Sequence, residues 1–160
     1  MQILIPDITT VEELHDIVIE VSGGKNGMHN RNLLISAIER PSTYIQYVDS
    51  YDLDTICSLL IEGVAQYHGF KDGNKRTALM TTIFTYRLND VHFRATNEMN
   101  VDFDDFVIWI VNKKPDIHTI TKRLKELRKK HQGDKESWRN IIAGFIKQAV
   151  LHTRESKDLT

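Results

Sequence analysis

The chain is poor in cysteine, because Cys57 is the one thiol among its 160 residues. A single cysteine excludes an internal disulfide and any zinc site of the CxxC type, and it is typical of a reducing compartment. Cys57 lies in an apolar helical run, so we expect a buried structural thiol and not a nucleophile. The sequence therefore predicts a cytoplasmic protein without disulfide chemistry.

The sequence also lacks a long apolar segment and an excess of charge of either sign. Residues 1–7 contain no basic region followed by an apolar run, so we expect neither a signal peptide nor a membrane partner. The net charge of −1 at pH 7 gives no global reason to expect a nucleic-acid partner. The basic run at residues 122–130 is interrupted by Glu126 and has no aromatic platform, which predicts a solvated helix face.

Proline and glycine are scarce, and apolar residues between them recur at helical spacing. A chain of this length is typical of one domain that buries a real core, so we expect an all-α domain of about six to eight helices. We predict a few extended residues near 91–96, and we expect three tyrosines at positions 44, 47 and 51 to pack down an aperiodic segment. The predicted helices are 10–22 (with a Thr10–Glu13 capping box), a short helix stopped by Pro41, 54–67, 77–89, 102–114 and 116–130.

A last amphipathic helix is predicted from residue 135 to about residue 152, after a break at residues 132–134. We therefore divide the chain into a catalytic domain, 1–131, and a C-terminal extension, 132–160. The apolar stripe of the extension must be buried somewhere. It can pack on its own domain, which we favour, pair with a second copy, or fill a groove that a partner would use. The stripe consists of Trp138, Ile141, Ile142, Phe145, Ile146, Ala149 and Val150.

The most informative stretch is residues 68–76, His-Gly-Phe-Lys-Asp-Gly-Asn-Lys-Arg, here called the signature loop. It is followed at once by a helix-forming run that begins at Thr77. The N-terminus of a helix presents free backbone N–H groups and the positive end of the helix dipole, so it suits a phosphate group. A histidine ahead of such an anion site predicts proton transfer beside a bound phosphate.

Each side chain of the loop has a matching role in transfer from a nucleotide to a hydroxyl. His68 can act as the base, Asp72 can hold Mg²⁺, and Phe70 is expected to point into the core and fix the loop. The remaining residues form a predicted phosphate cradle, in which a flexible glycine, an amide donor and two cations surround the anion. The cradle consists of Gly73, Asn74, Lys75 and Arg76.

The signature loop resembles the HxFx[DE]xN[GK]R motif of the Fic/Doc (Fido) family. It is more similar to the death-on-curing (Doc) branch, because Lys75 stands where typical Fic members have a second glycine. The resemblance extends over about residues 8–130 and includes the Glu-Glu-Leu-His run at 12–15 and the Gly-Gly pair at 23–24. It implies the Fido fold, a small helical domain around a central helical hairpin that carries the loop. It also implies that His68 deprotonates a target hydroxyl and that Asp72 carries Mg²⁺ beside bound ATP.

Two group transfers remain open within this resemblance. Doc-like members are toxins of toxin–antitoxin systems that transfer the γ-phosphate of ATP to elongation factor Tu, and a small antitoxin, Phd, neutralises them. Typical Fic members transfer AMP instead. Lys75 favours the Doc-like kinase, because its side chain would crowd the space for the α- and β-phosphates of an AMP donor, whereas Gly73 matches the Fic nucleotidyltransferases. A third hypothesis is a non-catalytic binding module with a vestigial loop.

Two further segments invite a regulatory interpretation. The run Ser58-Leu59-Leu60-Ile61-Glu62-Gly63 matches the inhibitory pattern [ST]xxxE[GN] of many Fic proteins. It lies inside the helix before the signature loop, so we interpret the match as coincidence and expect Glu62 to cap, pair or face solvent. Residues 25–30 form either a flap that covers the site and aligns a target segment, as in the family, or an ordinary connector.

Overall fold

The computed structural model describes residues 2–145, and within that range its secondary structure is helical. The helices are α1 (Ile8–Ser22), α2 (Arg31–Tyr47), α3 (Leu53–Gln66), α4 (Asn74–Leu88), α5 (Asn97–Lys113), α6 (Ile117–His131) and α7 (138–145). Extended pairing in the same range is limited to two isolated bridges, Met28 with Phe70 and Phe93 with Gln132. The predicted all-α class is confirmed.

No helix among residues 2–145 is long and apolar enough to cross a membrane.

The centre of the molecule is a hairpin of α3 and α4, which pack on each other more extensively than any other pair of helices. Both helices are buried on more than one face, since α1, α2, α5 and α6 surround them. Ile56, Leu60 and Ile61 of α3 and Ile83 and Tyr86 of α4 have no more than traces of exposed surface. The hairpin therefore fixes the loop that joins its two helices, which is the signature loop.

A buried ionic network ties this hairpin to α6. Both carboxylate oxygens of Asp54 in α3 accept hydrogen bonds from the Arg128 guanidinium in α6, at 2.7 and 2.8 Å. The Tyr86 hydroxyl of α4 donates to the same carboxylate at 2.7 Å. Asp54 is only 3% exposed, so these partners, and not water, stabilise its carboxylate. Hydrogen bonding to Asp54 raises the pKa of Arg128, as expected for a fork-shaped pairing.

The predicted end of the second helix at Pro41 is wrong, because α2 continues through this residue to Tyr47. Proline inside a helix removes one backbone hydrogen bond and crowds the preceding turn, at a cost of about 3 kcal/mol. Here Pro41 is buried together with Ala37 and Ile38 on the face that packs on α3, and this burial outweighs the local cost. The expectation that the tyrosines pack this segment down fails for Tyr47, which is 82% exposed.

Capping residues place two other helix starts earlier than predicted. The N-cap of α1 is Asp7, whose carboxylate accepts from the Thr10 backbone N–H, so the predicted capping box from Thr10 does not form. The N-cap of α5 is Thr96, whose hydroxyl accepts from the Met99 N–H, several residues before the predicted start at residue 102. In both cases an apolar pattern located the helix and a side-chain oxygen ahead of that pattern set its first residue.

The described part of the C-terminal extension packs on its own domain, which is the arrangement that we favoured. Ile141 is 1% exposed and Phe145 is 7% exposed, and the Phe145 ring meets the edge of Phe103 in α5. Trp138 lies on the Arg87 guanidinium and against the Phe84 ring, both from α4. The predicted continuation to residue 152, including three members of the apolar stripe, lies outside the described residues.

The basic run of α6 is solvated in part, as the sequence predicts, since Lys122, Lys125, Lys129 and Lys130 are exposed, but some of its cations also contact neighbouring helices. Besides Arg128, Lys130 contacts Glu98 and Asp102, at 2.8 and 2.9 Å, and Arg123 lies over the Trp109 ring of α5. These cations therefore join α6 to neighbouring helices, which sequence spacing alone does not reveal.

The prediction for Cys57 is confirmed, since it is fully buried and burial raises the pKa of its thiol.

Replacement of Asp54 by alanine should destabilise the domain by about 3–5 kcal/mol, because it leaves a half-buried guanidinium and a buried hydroxyl without their acceptor. Urea unfolding measures this loss. The control is Lys125→Ala, which breaks the exposed Lys125–Asp52 pair between the same two helices and should cost less than about 1 kcal/mol. Equal losses for the two variants would contradict a central role for the buried network.

Candidate functional site

His68 follows the C-terminal cap of α3 and adopts a left-handed backbone conformation, with φ of 53°. Helices often end in this way, but the left-handed residue is usually glycine, because a side chain there costs about 1–2 kcal/mol. The His68 side chain is exposed and lines the cleft described below. His68 thus keeps an imidazole in the cleft at a position where glycine would be less strained.

The N-terminus of α4 is the one helix start in the described chain without a side-chain cap. Its N-cap is Gly73, in a left-handed conformation with φ of 78°, and no side chain accepts from its first turn. The other described helices begin at capping side chains, which are Asp7, Asn30, Asp52, Thr96, Asp116 and Ser137. The first N–H groups of α4 are thus left for another acceptor, and a phosphate is the ligand that such a terminus suits.

A side chain at position 73 would be tightly packed. A Cβ atom at this position would lie 3.1 Å from Ile19 Cδ1 and 3.6 Å from the His15 ring, in a backbone conformation that other residues rarely adopt. The left-handed backbone and the close approach of α1 therefore both favour glycine at this position.

Asn74 holds the loop through both ends of its amide. Its Oδ1 accepts from the Phe70 backbone N–H at 3.1 Å, and its Nδ2 donates to the Phe70 carbonyl at 3.0 Å. Phe70 itself is 3% exposed and belongs to the core, where the sequence placed it. Sequence reasoning gave Asn74 a place in the phosphate cradle, whereas in the structure its side chain is engaged with the backbone of the loop.

His15 of α1 is a component of the site that sequence reasoning missed. Its Nε2 lies 2.7 Å from the Asp72 carbonyl oxygen, and its ring stacks on the Phe70 ring with centroids 3.7 Å apart. His15 is 2% exposed and faces inward on α1 beside Leu14, between Val11 and Val18. The available signal was a polar ring at helical spacing with apolar neighbours, four residues after Val11 and three residues before Val18.

The Asp72 carboxylate faces the cleft and is 43% exposed. Its Oδ1 accepts from the Gly73 N–H at 2.8 Å, and its Oδ2 accepts from the Lys25 N–H at 3.1 Å. No group of three or more potential metal-ligating His, Cys, Asp or Glu residues occurs within residues 2–145. One accessible carboxylate suits Mg²⁺, which usually uses one or two carboxylates and completes its shell with phosphate oxygens and water.

The cations of the loop differ in their surroundings. Arg76 is 27% exposed at its side chain, and it donates to the Ser22 hydroxyl and to the Gly23 carbonyl, at the C-terminal end of α1. Its Nη2 lies 3.7 Å from Asp72 Oδ1. Lys71 and Lys75 are exposed. The loop thus carries three cations and one carboxylate, so its net charge is positive and its environment is favourable for an anion.

These residues meet in one cleft of about 670 Å³, within the range of small-molecule sites. Its wall includes Asp104, Ile108 and Val111 of α5, which sequence reasoning did not assign to a site. Every predicted site residue except Phe70 lines this cleft, and these are His68, Asp72, Gly73, Asn74, Lys75 and Arg76.

Residues 25–30 pair with the signature loop through backbone hydrogen bonds. The N–H groups of His29 and Asn30 both donate to the Gly69 carbonyl, at 2.9 and 3.0 Å, and the Lys71 N–H donates to the Gly27 carbonyl at 3.1 Å. Gly69 is in close contact with α2, since a Cβ there would lie 2.7 Å from the Leu34 Cβ. The segment therefore lies beside the site, as a flap would, and its alignment of a target stays a prediction.

Glu62 has a partner outside the cleft. It accepts from Arg40 of α2 at 2.7 Å, and both side chains are partly buried. In the family that the signature loop resembles, the inhibitory glutamate pairs with the arginine of the loop. Here that arginine, Arg76, contacts α1 and Asp72 instead. This arrangement agrees with our interpretation of the inhibitory pattern as coincidence, since Glu62 pairs with another helix.

Comparisons with known proteins agree on one family. A model of the Fic/DOC family matches residues 6–85, which is half of the chain. The chain is also similar to a protein described as protein kinase doc, from Escherichia phage P1. The two are 33% identical over 86 residues, which are 54% of this chain and 68% of that protein. Given these matches and the loop geometry described above, the chain belongs to the Fic/DOC family.

Proposed function

We propose that this protein is a Doc-like toxin that transfers the γ-phosphate of ATP to a hydroxyl group of a protein. The observation that carries the proposal is the uncapped N-terminus of α4, which opens into the same cleft as the imidazole of His68. An anion site and a base within one cleft are two of the requirements for transferring a phosphoryl group to a hydroxyl.

In the proposed reaction His68 takes the proton from the attacking hydroxyl. The hydroxyl oxygen then forms a bond to the γ-phosphorus of ATP, the bond from that phosphorus to the β–γ bridging oxygen breaks, and ADP leaves. The N–H groups at the start of α4 and the cations Lys75 and Arg76 hold the phosphate oxygens, whose charge they offset. Arg76 must exchange part of its contact with α1 for the nucleotide.

Asp72 is the residue that would hold Mg²⁺, since its half-exposed carboxylate is the acid of the loop that faces the cleft. When bound with the nucleotide, the ion would offset phosphate charge and orient the transferred group. Asp72 meanwhile keeps its carboxylate oriented through the N–H groups of Gly73 and Lys25.

AMP transfer is the second candidate, and Gly73 permits it. A glycine with φ of 78° lets the backbone approach a phosphate closely in either orientation of the nucleotide. Lys75 favours the kinase, because it is exposed at the first turn of α4 and would occupy the space for the α- and β-phosphates of an AMP donor. We give the kinase priority because the similar phage P1 protein is described as a protein kinase.

The partners follow from the family. We propose that a small Phd-like antitoxin chain neutralises this protein and that elongation factor Tu is its target, as the resemblance implies. An inhibitor in a separate chain fits the structure of the described residues, where Glu62 pairs with Arg40 and not with Arg76.

Transfer to elongation factor Tu can be followed with Mg²⁺ and ATP labelled at either the γ- or the α-phosphate. We expect label from the γ-position alone, and none with His68→Ala, which lacks the base. Label from the α-position would instead establish AMP transfer. Absence of label from both positions would point to another target or nucleotide, or to the binding-module hypothesis.

Replacement of His68 by glycine should abolish transfer and yet stabilise the fold by about 0.5–1 kcal/mol, since glycine relieves the left-handed conformation but adds chain entropy to the unfolded state. Urea unfolding and the labelled assay measure the two effects. The matched control is Lys114→Gly, another left-handed residue, with φ of 47°, that does not line the cleft. It should gain similar stability and keep full activity; loss of stability in His68→Gly would show that the imidazole supports the fold.

Replacement of Lys75 by glycine should lower γ-phosphate transfer about tenfold and permit detectable α-phosphate transfer, because it removes a charge and opens space beside Asn74. The control Lys75→Met keeps the length of the side chain without its charge. It should lower γ-transfer without permitting α-transfer. If both variants transfer the α-phosphate, or neither does, side-chain volume at this position does not select the orientation.

A further inference from the structure

We infer that His15 is a positioning residue of the site, which sets the orientation of the peptide group between Asp72 and Gly73. This inference rests on the proposed function, because it concerns the same phosphate and metal site. His15 lines neither the cleft nor its mouth, and it is 2% exposed. It therefore acts through the loop and not on the substrate.

The hydrogen bond of His15 has a defined direction. A carbonyl oxygen carries no proton, so Nε2, which lies 2.7 Å from the Asp72 carbonyl oxygen, must carry the hydrogen and donate it. The other ring nitrogen, Nδ1, faces Asp16 at 4.0 Å. Since Nε2 carries a hydrogen both in the charged ring and in this neutral tautomer, the contact with the loop is kept in either state.

The peptide group that accepts this bond is held from its opposite side as well. The carbonyl of Asp72 and the N–H of Gly73 belong to one planar trans peptide, and they point in opposite directions. The carbonyl meets His15, and the N–H donates to the Asp72 carboxylate at 2.8 Å. Fixing the carbonyl thus also fixes the N–H that orients the proposed metal ligand.

The same peptide leads into the left-handed turn at Gly73. Glycine can adopt backbone conformations that other residues rarely adopt, so the φ of 78° at Gly73 needs support from neighbouring residues. The His15 ring supplies this support, because it stacks on Phe70 at 3.7 Å and lies 3.6 Å from the position of a Cβ on Gly73. His15 therefore directs the uncapped N–H groups of α4 toward the cleft.

Two substitutions separate the hydrogen bond from the space that the ring fills. His15→Gln and His15→Met have side chains of nearly equal length, and neither has a ring. Only glutamine can donate a hydrogen bond from about the position of Nε2. If His15 merely filled space, methionine would be the better replacement, because it is apolar and adapts to buried sites. A positioning role predicts the reverse order for ligand binding.

The experiment titrates the full-length protein with Mg²⁺-ATP and, separately, with inorganic phosphate, and follows the backbone amide signals of residues 74–76 by NMR. We expect His15→Met to weaken binding about tenfold, as loss of one buried hydrogen bond implies, and His15→Gln to remain within about threefold of wild type. Thermal unfolding of both variants, with methionine at least as stable as glutamine, shows that lost binding does not reflect lost folding.

The outcomes separate this inference from the proposed reaction. Equal binding by the two variants, or wild-type binding by His15→Met, would overturn the positioning role alone. A wild-type protein whose amides respond to neither ligand would overturn the phosphate site and this inference with it. The expected order of affinities without transfer of label to elongation factor Tu would leave the positioning role standing and refute transfer from ATP to that target.

Discussion

The packing of α3 on α4 is the constraint on which the rest of the structure depends. The two helices fill the centre of the domain and bury side chains on several faces, and the chain has only residues 67–73 in which to reverse direction between them. Two residues of this connection, His68 and Gly73, adopt left-handed conformations. The buried pairing of Asp54 with Arg128 and Tyr86 then anchors the hairpin to α6. The position of the site is thus a consequence of how the core closes.

The signature loop combines features that a loop selected for stability alone would avoid. Its histidine stands where glycine would be less strained, and its helix begins without the side-chain cap that the other described helices possess. Neighbouring contacts support both features. Asn74 holds the backbone of Phe70, His15 holds the carbonyl of Asp72, and residues 27–30 pair with the outer edge of the loop. Local backbone strain and a missing cap that neighbouring residues compensate are typical of functional positions.

The structure changed the roles that the sequence predicted for single residues, because it shows which residues they contact. Asn74 was expected to donate to a phosphate and instead holds the loop. Arg128 was counted within a solvated basic face, although it is the cation that neutralises a buried carboxylate. The extension beyond residue 131 contributes Ile141 and Phe145 to the same core as α4 and α5, so within the described residues it is packed as part of the domain. Each change arises because partners distant in sequence determine what a polar side chain does.

The sequence by itself determined the helical class and the location of the loop, because helical periodicity and a dense motif are local properties. The central hairpin was expected from the resemblance to the Fic/Doc family. The sequence also placed Phe70 and Cys57 in the core correctly. Tertiary structure decided what depends on distant partners. Burial on α3 carries α2 through Pro41, and α1 brings His15 beneath the loop. The starts of α1 and α5 are set by nearby caps, Asp7 and Thr96, which an apolar pattern does not reveal. Local patterns and caps fix the elements of a chain, whereas contacts between elements far apart in sequence decide what their polar groups do.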